Sequence, residues 1–197
     1  MKKAILFDLD GTLLPMDQDI FVKTYFGLMA KRMSQFGYNP DELIHTIWKG
    51  TSAVIKNDGV LTNEDVFWKC FSEVYGEERT KNDRVKFDDF YREDFPKAQS
   101  ACGFQPFAKE MIQFAKQQGY RVVLATNPLF PRIATEERIR WAGLVPSDFE
   151  LVTTYENSHA CKPNLLYYQE ILDILDLEAS ECLRSEEHTS ELQSPLI

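Results

Sequence analysis

The stretch Ala4-Ile5-Leu6-Phe7-Asp8-Leu9-Asp10-Gly11-Thr12 decides the fold. Its first four residues are an unbroken apolar run. Such a run fits a strand buried on both faces, as in a parallel sheet, whereas a half-exposed strand would alternate. The polar turn that follows puts two carboxylates, Asp8 and Asp10, at the carboxyl end of that strand. Gly11 lets the chain turn sharply there, so that both acids can face the opening.

Beyond this turn the pattern becomes helical. Ile20, Phe21, Phe26, Met29, Ala30 and Met33 recur at three- and four-residue steps. Leu43, Ile44, Ile47 and Trp48 do the same after Asn39-Pro40. Thr62 to Asp65 reads as a capping box with Asp in place of Glu. It opens a helix with Val66, Phe67, Cys70, Phe71 and Val74 on one face and Gly76 at its end. Val85, Phe87, Phe90 and Tyr91 continue the pattern. At helical spacing these aromatic stripes are core faces, and no strong strand interrupts them.

Past Gly103 the rhythm changes to helix, strand, helix, strand, helix. Phe107, Met111, Ile112, Phe114 and Ala115 are the expected apolar face of the first of these helices, opened by Pro106 and stopped by Gly119. Tyr120 to Ala125 reads as a second buried strand, ending in Thr126-Asn127-Pro128. A helix through Ile133, Ile139 and Trp141 precedes a weaker strand at Phe149–Thr153. Lys162-Pro163 opens a helix from Leu165 to Leu175. This alternation implies an α/β protein, a Rossmann-like parallel sheet core with an inserted α-helical cap. The expected boundaries are 1–15 with 99–183 for the core and 16–98 for the cap.

Residues 184–197 fit neither pattern. They lack periodicity and resemble translated sequencing-adapter read-through, so they are expected to be a non-native tail. A strand starting at Glu181-Cys182-Leu183 would then be cut off, leaving a truncated chain with an open sheet edge, weakened metal binding and little activity.

Composition narrows the function. The chain has 197 residues, with 22 Lys+Arg against 31 Asp+Glu and a net charge of −9, which argues against a nucleic-acid backbone partner. No apolar run is long enough to span a membrane. Four scattered cysteines without a CxxC pair fit a reducing compartment, and the expectation is a cytoplasmic protein. The oligomeric state is left open.

Ligands of open parallel sheets collect outside the carboxyl ends of the strands. Asp8, Asp10, Thr126 and Lys162 all fall at that edge. Two carboxylates, a hydroxyl and an ammonium make a phosphoryl-transfer constellation. One carboxylate can attack phosphorus, the other can move the proton, and the hydroxyl and ammonium can hold the phosphoryl oxygens. Concentrated negative charge with oxygen ligands suits Mg2+.

Asp8-Leu9-Asp10-Gly11-Thr12, Val122-Val123-Leu124-Ala125-Thr126-Asn127 and Lys162-Pro163 resemble, in order and spacing, three motifs of the haloacid dehalogenase-like (HAD) hydrolase superfamily, and the helical insertion sits where that family carries its type-one cap. The resemblance implies Asp8 as nucleophile and Mg2+ ligand. It implies Asp10 as general acid/base with its backbone carbonyl on the metal. Thr126 would hold the phosphoryl group, with Asn127 helping through its backbone N–H, and Lys162 would orient Asp8 and neutralise charge. The second Asp points to a phosphatase or phosphomutase rather than a dehalogenase, and the leading expectation is a phosphatase acting on a small phosphorylated substrate. A fourth acidic motif is expected after the next strand, and the tail replaces it. The alternatives are a phosphomutase of the β-phosphoglucomutase type, a catalytically dead scaffold, and a receiver-like phosphoacceptor. The position of the acidic turn and the helical insertion count against the receiver.

Overall fold

The computed structural model describes residues 1–185. Strand β1 (Ala4–Phe7) leads into a helical segment of α1 (Gln18–Ser34), α2 (Pro40–Ile55), α3 (Asn63–Tyr75) and α4 (Glu77–Glu93), closed by a 3-10 helix at Phe95–Ala101. The remainder alternates: α5 (Phe107–Gln117), β2 (Arg121–Leu124), α6 (Arg132–Trp141), β3 (Leu151–Val152), α7 (Leu165–Leu175) and β4 (Cys182–Ser185). The four strands pair in the order β3-β2-β1-β4, all parallel, so the protein is an α/β fold. The helical segment contributes no strand to this sheet.

Local chemistry explains the helix starts. Asp17 accepts from the Ile20 N–H, Asn39 from the N–H groups of Asp41 and Glu42, and Thr62 from that of Asp65. Each side chain satisfies a donor that the first helical turn leaves unpaired.

The pleat of β1 divides the interior. Ala4 and Leu6 face a cluster with Val123, Ala125, Tyr167, Ile171 and Leu175, beneath α7. Phe7 joins the larger cluster on the other face, with Val122, Leu124, Ile112 of α5 and Ile139 of α6. That cluster continues without a break into Phe21, Tyr25, Met29, Phe71, Phe87, Phe90 and Phe95. The helical segment therefore shares one apolar core with the α5 and α6 face of the sheet. Each large side chain fully buried there contributes about 1.5–3 kcal/mol.

Two expectations are corrected. Helix α5 buries Ala108, Ile112 and Ala115, while Phe107 is 60%, Met111 40% and Phe114 63% exposed. Of the expected face only Ile112 and Ala115 are buried, with Ala108 beside them, while the three largest residues point outward. The chain also does not stop short of a fourth strand. Arg184 and Ser185 complete β4, which pairs with β1 from Ala4 opposite Cys182 to Phe7 opposite Ser185. Leu183 and Arg184 are exposed, so β4 does not read as a strand buried on both faces. The rest of the expected tail, 186–197, and the place of a fourth acidic motif lie outside the described residues.

Candidate active site

Asp8 is the first residue after β1, and its backbone N–H donates to the Ser185 carbonyl at 3.1 Å. The turn then closes on itself, with the Leu14 N–H donating to Leu9 O and the Gly11 N–H to Leu14 O, both at 2.8 Å. Gly11 has φ +80°, a conformation that L side chains rarely adopt, so glycine is required at this position. Leu9, Leu13 and Leu14 are fully buried and anchor the turn from below.

The two carboxylates go to different sides. Asp8 is 6% exposed, and its Oδ1 lies 3.1 Å from Lys162 Nζ. Burial raises the Asp8 pKa above the usual carboxylate value. Lys162 opposes that shift and the neighbouring charge of Asp10 reinforces it. Asp10 instead pairs through Oδ2 with Arg138 of α6, and Arg138 is 1% exposed.

Thr126 and Asn127 lie in the loop after β2, next to the strand that Asp8 follows. Thr126 is buried just beyond β2, and its carbonyl accepts from Thr153 Oγ1 at 2.7 Å and from Tyr167 Oη at 2.8 Å. Asn127 acts through its side chain here, accepting the Lys162 N–H at 3.2 Å, and so ties the loop after β2 to the loop before α7. Asn63, at the start of α3, is fully buried and donates to the carbonyls of Pro128 at 3.3 Å and Ala160 at 3.2 Å. The helical segment thus reaches the same two loops. His159, three residues before Lys162, has its Nδ1 2.6 Å from Glu170 Oε1.

Sequence reasoning missed Arg138, Asn63, Thr153 and Tyr167. Arg138 stands in a helix rich in charge and reads as a solvated residue. Its one signal is its place between Ala134 and Trp141 on the apolar side of α6.

The arrangement is closed. Asp8, Thr126 and Lys162 are each less than a tenth exposed. A groove of about 600 Å³ between α4 and α6, lined by Arg84, Arg132, Glu136, Arg140 and Glu156 among others, includes none of the motif residues.

A metal ion must fit this charge pattern. Each carboxylate already faces a cation, so the site is close to balanced before substrate arrives. A phosphate would add negative charge beyond what Lys162 and Arg138 balance, and the carboxylate oxygens present are donors that a hard divalent cation takes. Among the described residues no group of three or more His, Cys, Asp or Glu converges.

Comparison with known proteins adds to the geometry. The family described as haloacid dehalogenase-like hydrolase matches residues 2–183. No curated protein matches the chain. Among solved structures, a HAD phosphatase from Thermococcus onnurineus is similar with a TM-score of 0.54 and 18% identity, covering 92% of this chain and 75% of that one. A protein described as a predicted phosphoglycolate phosphatase from Haemophilus somnus gives 0.53 and 16%, covering 93% and 76%. A HAD family enzyme from Bacteroides thetaiotaomicron gives 0.50 and 14%, covering 93% and 83%.

Proposed function

The chain belongs to the haloacid dehalogenase-like hydrolases, and on that premise we propose that it is a phosphohydrolase acting on a small organic phosphate through an aspartyl-phosphate. The observation that carries this reading is the pair of acids after β1, each held by its own buried cation: Asp8 by Lys162 and Asp10 by Arg138.

The Asp8 carboxylate attacks phosphorus, and the bond from phosphorus to the ester oxygen breaks. Asp10 takes up a proton on Oδ1 as the anionic substrate binds and gives it to the departing oxygen. It then takes a proton from water, which attacks the phosphoryl group and releases Asp8. Lys162 fixes the Asp8 carboxylate and offsets charge on the phosphoryl oxygens, and Thr126 holds those oxygens. Mg2+ would be held by the Asp8 carboxylate and the Asp10 carbonyl, and its contribution is charge stabilisation of the phosphoryl group.

The segment 16–98 serves as a cap. With Asp8, Thr126 and Lys162 this buried, substrate enters only if the cap moves, and its return excludes water. No helix among the described residues is long and apolar enough to cross a membrane. The four cysteines are free, and the proposed compartment is the cytoplasm.

The test is phosphate release from a panel of sugar phosphates, nucleotides and phosphorylated cofactors, with and without Mg2+. Release that needs Mg2+ and disappears in Asp8→Asn supports the reading. No release from any ester, or release that survives Asp8→Asn, rejects it.

A further inference from the structure

Arg138 lies in the middle of α6, 1% exposed, so its charge is almost wholly removed from water. A buried guanidinium is costly unless paired and hydrogen-bonded. Its Nη1 donates to Asp10 Oδ2, and its Nη2 reaches Thr135 Oγ1 at 3.4 Å. Its face lies over the Phe130 ring, with Cζ 4.5 Å from the centroid. Phe130 is itself wedged against the helical segment, with ring centroids 6.2 Å from Phe21, 5.5 Å from Tyr25 and 6.3 Å from Phe95. The guanidinium is therefore fixed in plane and in position before it meets the carboxylate.

The consequence falls on Asp10. Its Oδ2 is engaged, whereas its Oδ1 is buried without a hydrogen-bond partner among the described residues. We infer that Arg138 is a positioning residue for the proposed reaction: it fixes the plane of the Asp10 carboxylate through Oδ2 and reserves Oδ1 for the proton exchanged with the ester oxygen and with water. This rests on the phosphohydrolase reading above. The contact is a single one, Nη1 to Oδ2, with Arg138 Nε buried without a partner among the described residues. A guanidinium held flat on Phe130 brings Nη1 to one fixed point, which the flexible ammonium of a lysine does less well. A purely structural role, in which the pair only joins α6 to the acidic turn, would not distinguish between esters.

The experiment compares Arg138→Met and Arg138→Lys with wild type on p-nitrophenyl phosphate and phenyl phosphate. Nitrophenolate leaves without needing a proton, whereas phenolate needs one. In Arg138→Met, kcat on phenyl phosphate should fall about tenfold or more beyond its fall on p-nitrophenyl phosphate. Arg138→Lys keeps the buried charge, so it stays folded if Met does not. It should show the same selective loss to a smaller degree. Equal losses on both esters in the folded variants would overturn the inference. A crystal structure of either variant adds a readout that needs no activity. A turned Asp10 carboxylate supports the inference, and an unchanged plane overturns it. The parent reading fails separately, through absence of phosphate release by wild type or its survival in Asp8→Asn.

Discussion

The two halves of the site are held by different parts of the molecule. The Asp8 half is built from the sheet edge and the loop before α7, with Lys162 as its cation. The Asp10 half leans on α6, whose Arg138 is backed by Phe130 and, through it, by Phe21 and Tyr25 of the helical segment. The helical segment thus meets the two halves differently: the Asp8 half through the hydrogen bonds of Asn63 to the Pro128 and Ala160 carbonyls, and the Asp10 half through aromatic packing on Phe130. The cations also differ in kind. A buried lysine can shed its proton when its partner is lost, but an arginine stays charged.

The largest expected effect separates the halves by activity. Asp8→Asn removes the proposed nucleophile and should lower phosphate release at least about a thousandfold, with no aspartyl-phosphate detected by mass spectrometry. Asp10→Asn should lower it about 10²- to 10⁴-fold, and less on p-nitrophenyl phosphate than on phenyl phosphate. If the two variants showed the same ester dependence, the division of labour would collapse.

Stability should rank the same two variants in the opposite order. Asp10→Asn strands the Arg138 charge in the interior, which costs about 3–5 kcal/mol. For a chain of this size that is a fall of roughly 10 °C in melting temperature. Asp8→Asn should cost much less, because Lys162 can neutralise and because Asp8 itself is strained as an anion. Equal melting temperatures for the two variants would show that the Arg138 charge finds another partner.

A smaller effect follows from the direction of the Asp8 shift. Its pKa is raised in the fold above the ordinary 3.8, chiefly by burial. The folded protein then holds the Asp8 proton more tightly than the unfolded chain. This contribution to stability is full below pH 3.8 and is lost as pH rises through the folded pKa. In metal-free protein, wild type should therefore lose stability relative to Asp8→Asn as pH climbs above 3.8. Added Mg2+ should restore wild type and leave Asp8→Asn nearly unchanged. The measurement is urea unfolding of both proteins from acid to neutral pH, and parallel curves would remove the burial argument.

What was legible in the sequence follows the same division. Asp8 could be read because an apolar run, an acidic turn and a glycine with φ +80° lie within a few residues, all local features. The helix Leu165–Leu175 was legible down to its ends for the same reason. Arg138 was not, because its role depends on a contact across 128 positions of sequence. The face of α5 was misread because bulk, not contact, dominates a periodicity argument: Phe107 and Phe114 are large and exposed, Ala108 and Ala115 small and buried. The strand at Cys182–Ser185 was underestimated because a four-residue strand with two exposed positions and an arginine carries almost no apolar signal.

The smallest prediction uses two cysteines as local reporters, one in each half. Burial pushes the Cys102 thiol up to about 11, with the Asp10 charge adding to the rise and Arg138 opposing it. Burial pushes Cys161 up to about 12, opposed by a hydrogen bond from Asn63. Neither Asp10 nor Arg138 is among the influences on Cys161. Asp10→Asn removes a negative charge beside Cys102 and leaves the Arg138 charge uncovered. Both changes favour the thiolate, so the Cys102 titration should move down from about 11 while Cys161 stays near 12. The check is the pH dependence of iodoacetamide labelling, resolved by peptide mass spectrometry in wild type and the variant under folded conditions. Slow labelling of both thiols at neutral pH is expected in wild type, since the thiolate is the reactive form. A shift at both cysteines would indicate general loosening of the fold. A shift at neither would mean that the Asp10 and Arg138 charges do not reach Cys102, and the electrostatic separation of the two halves would lose its local support.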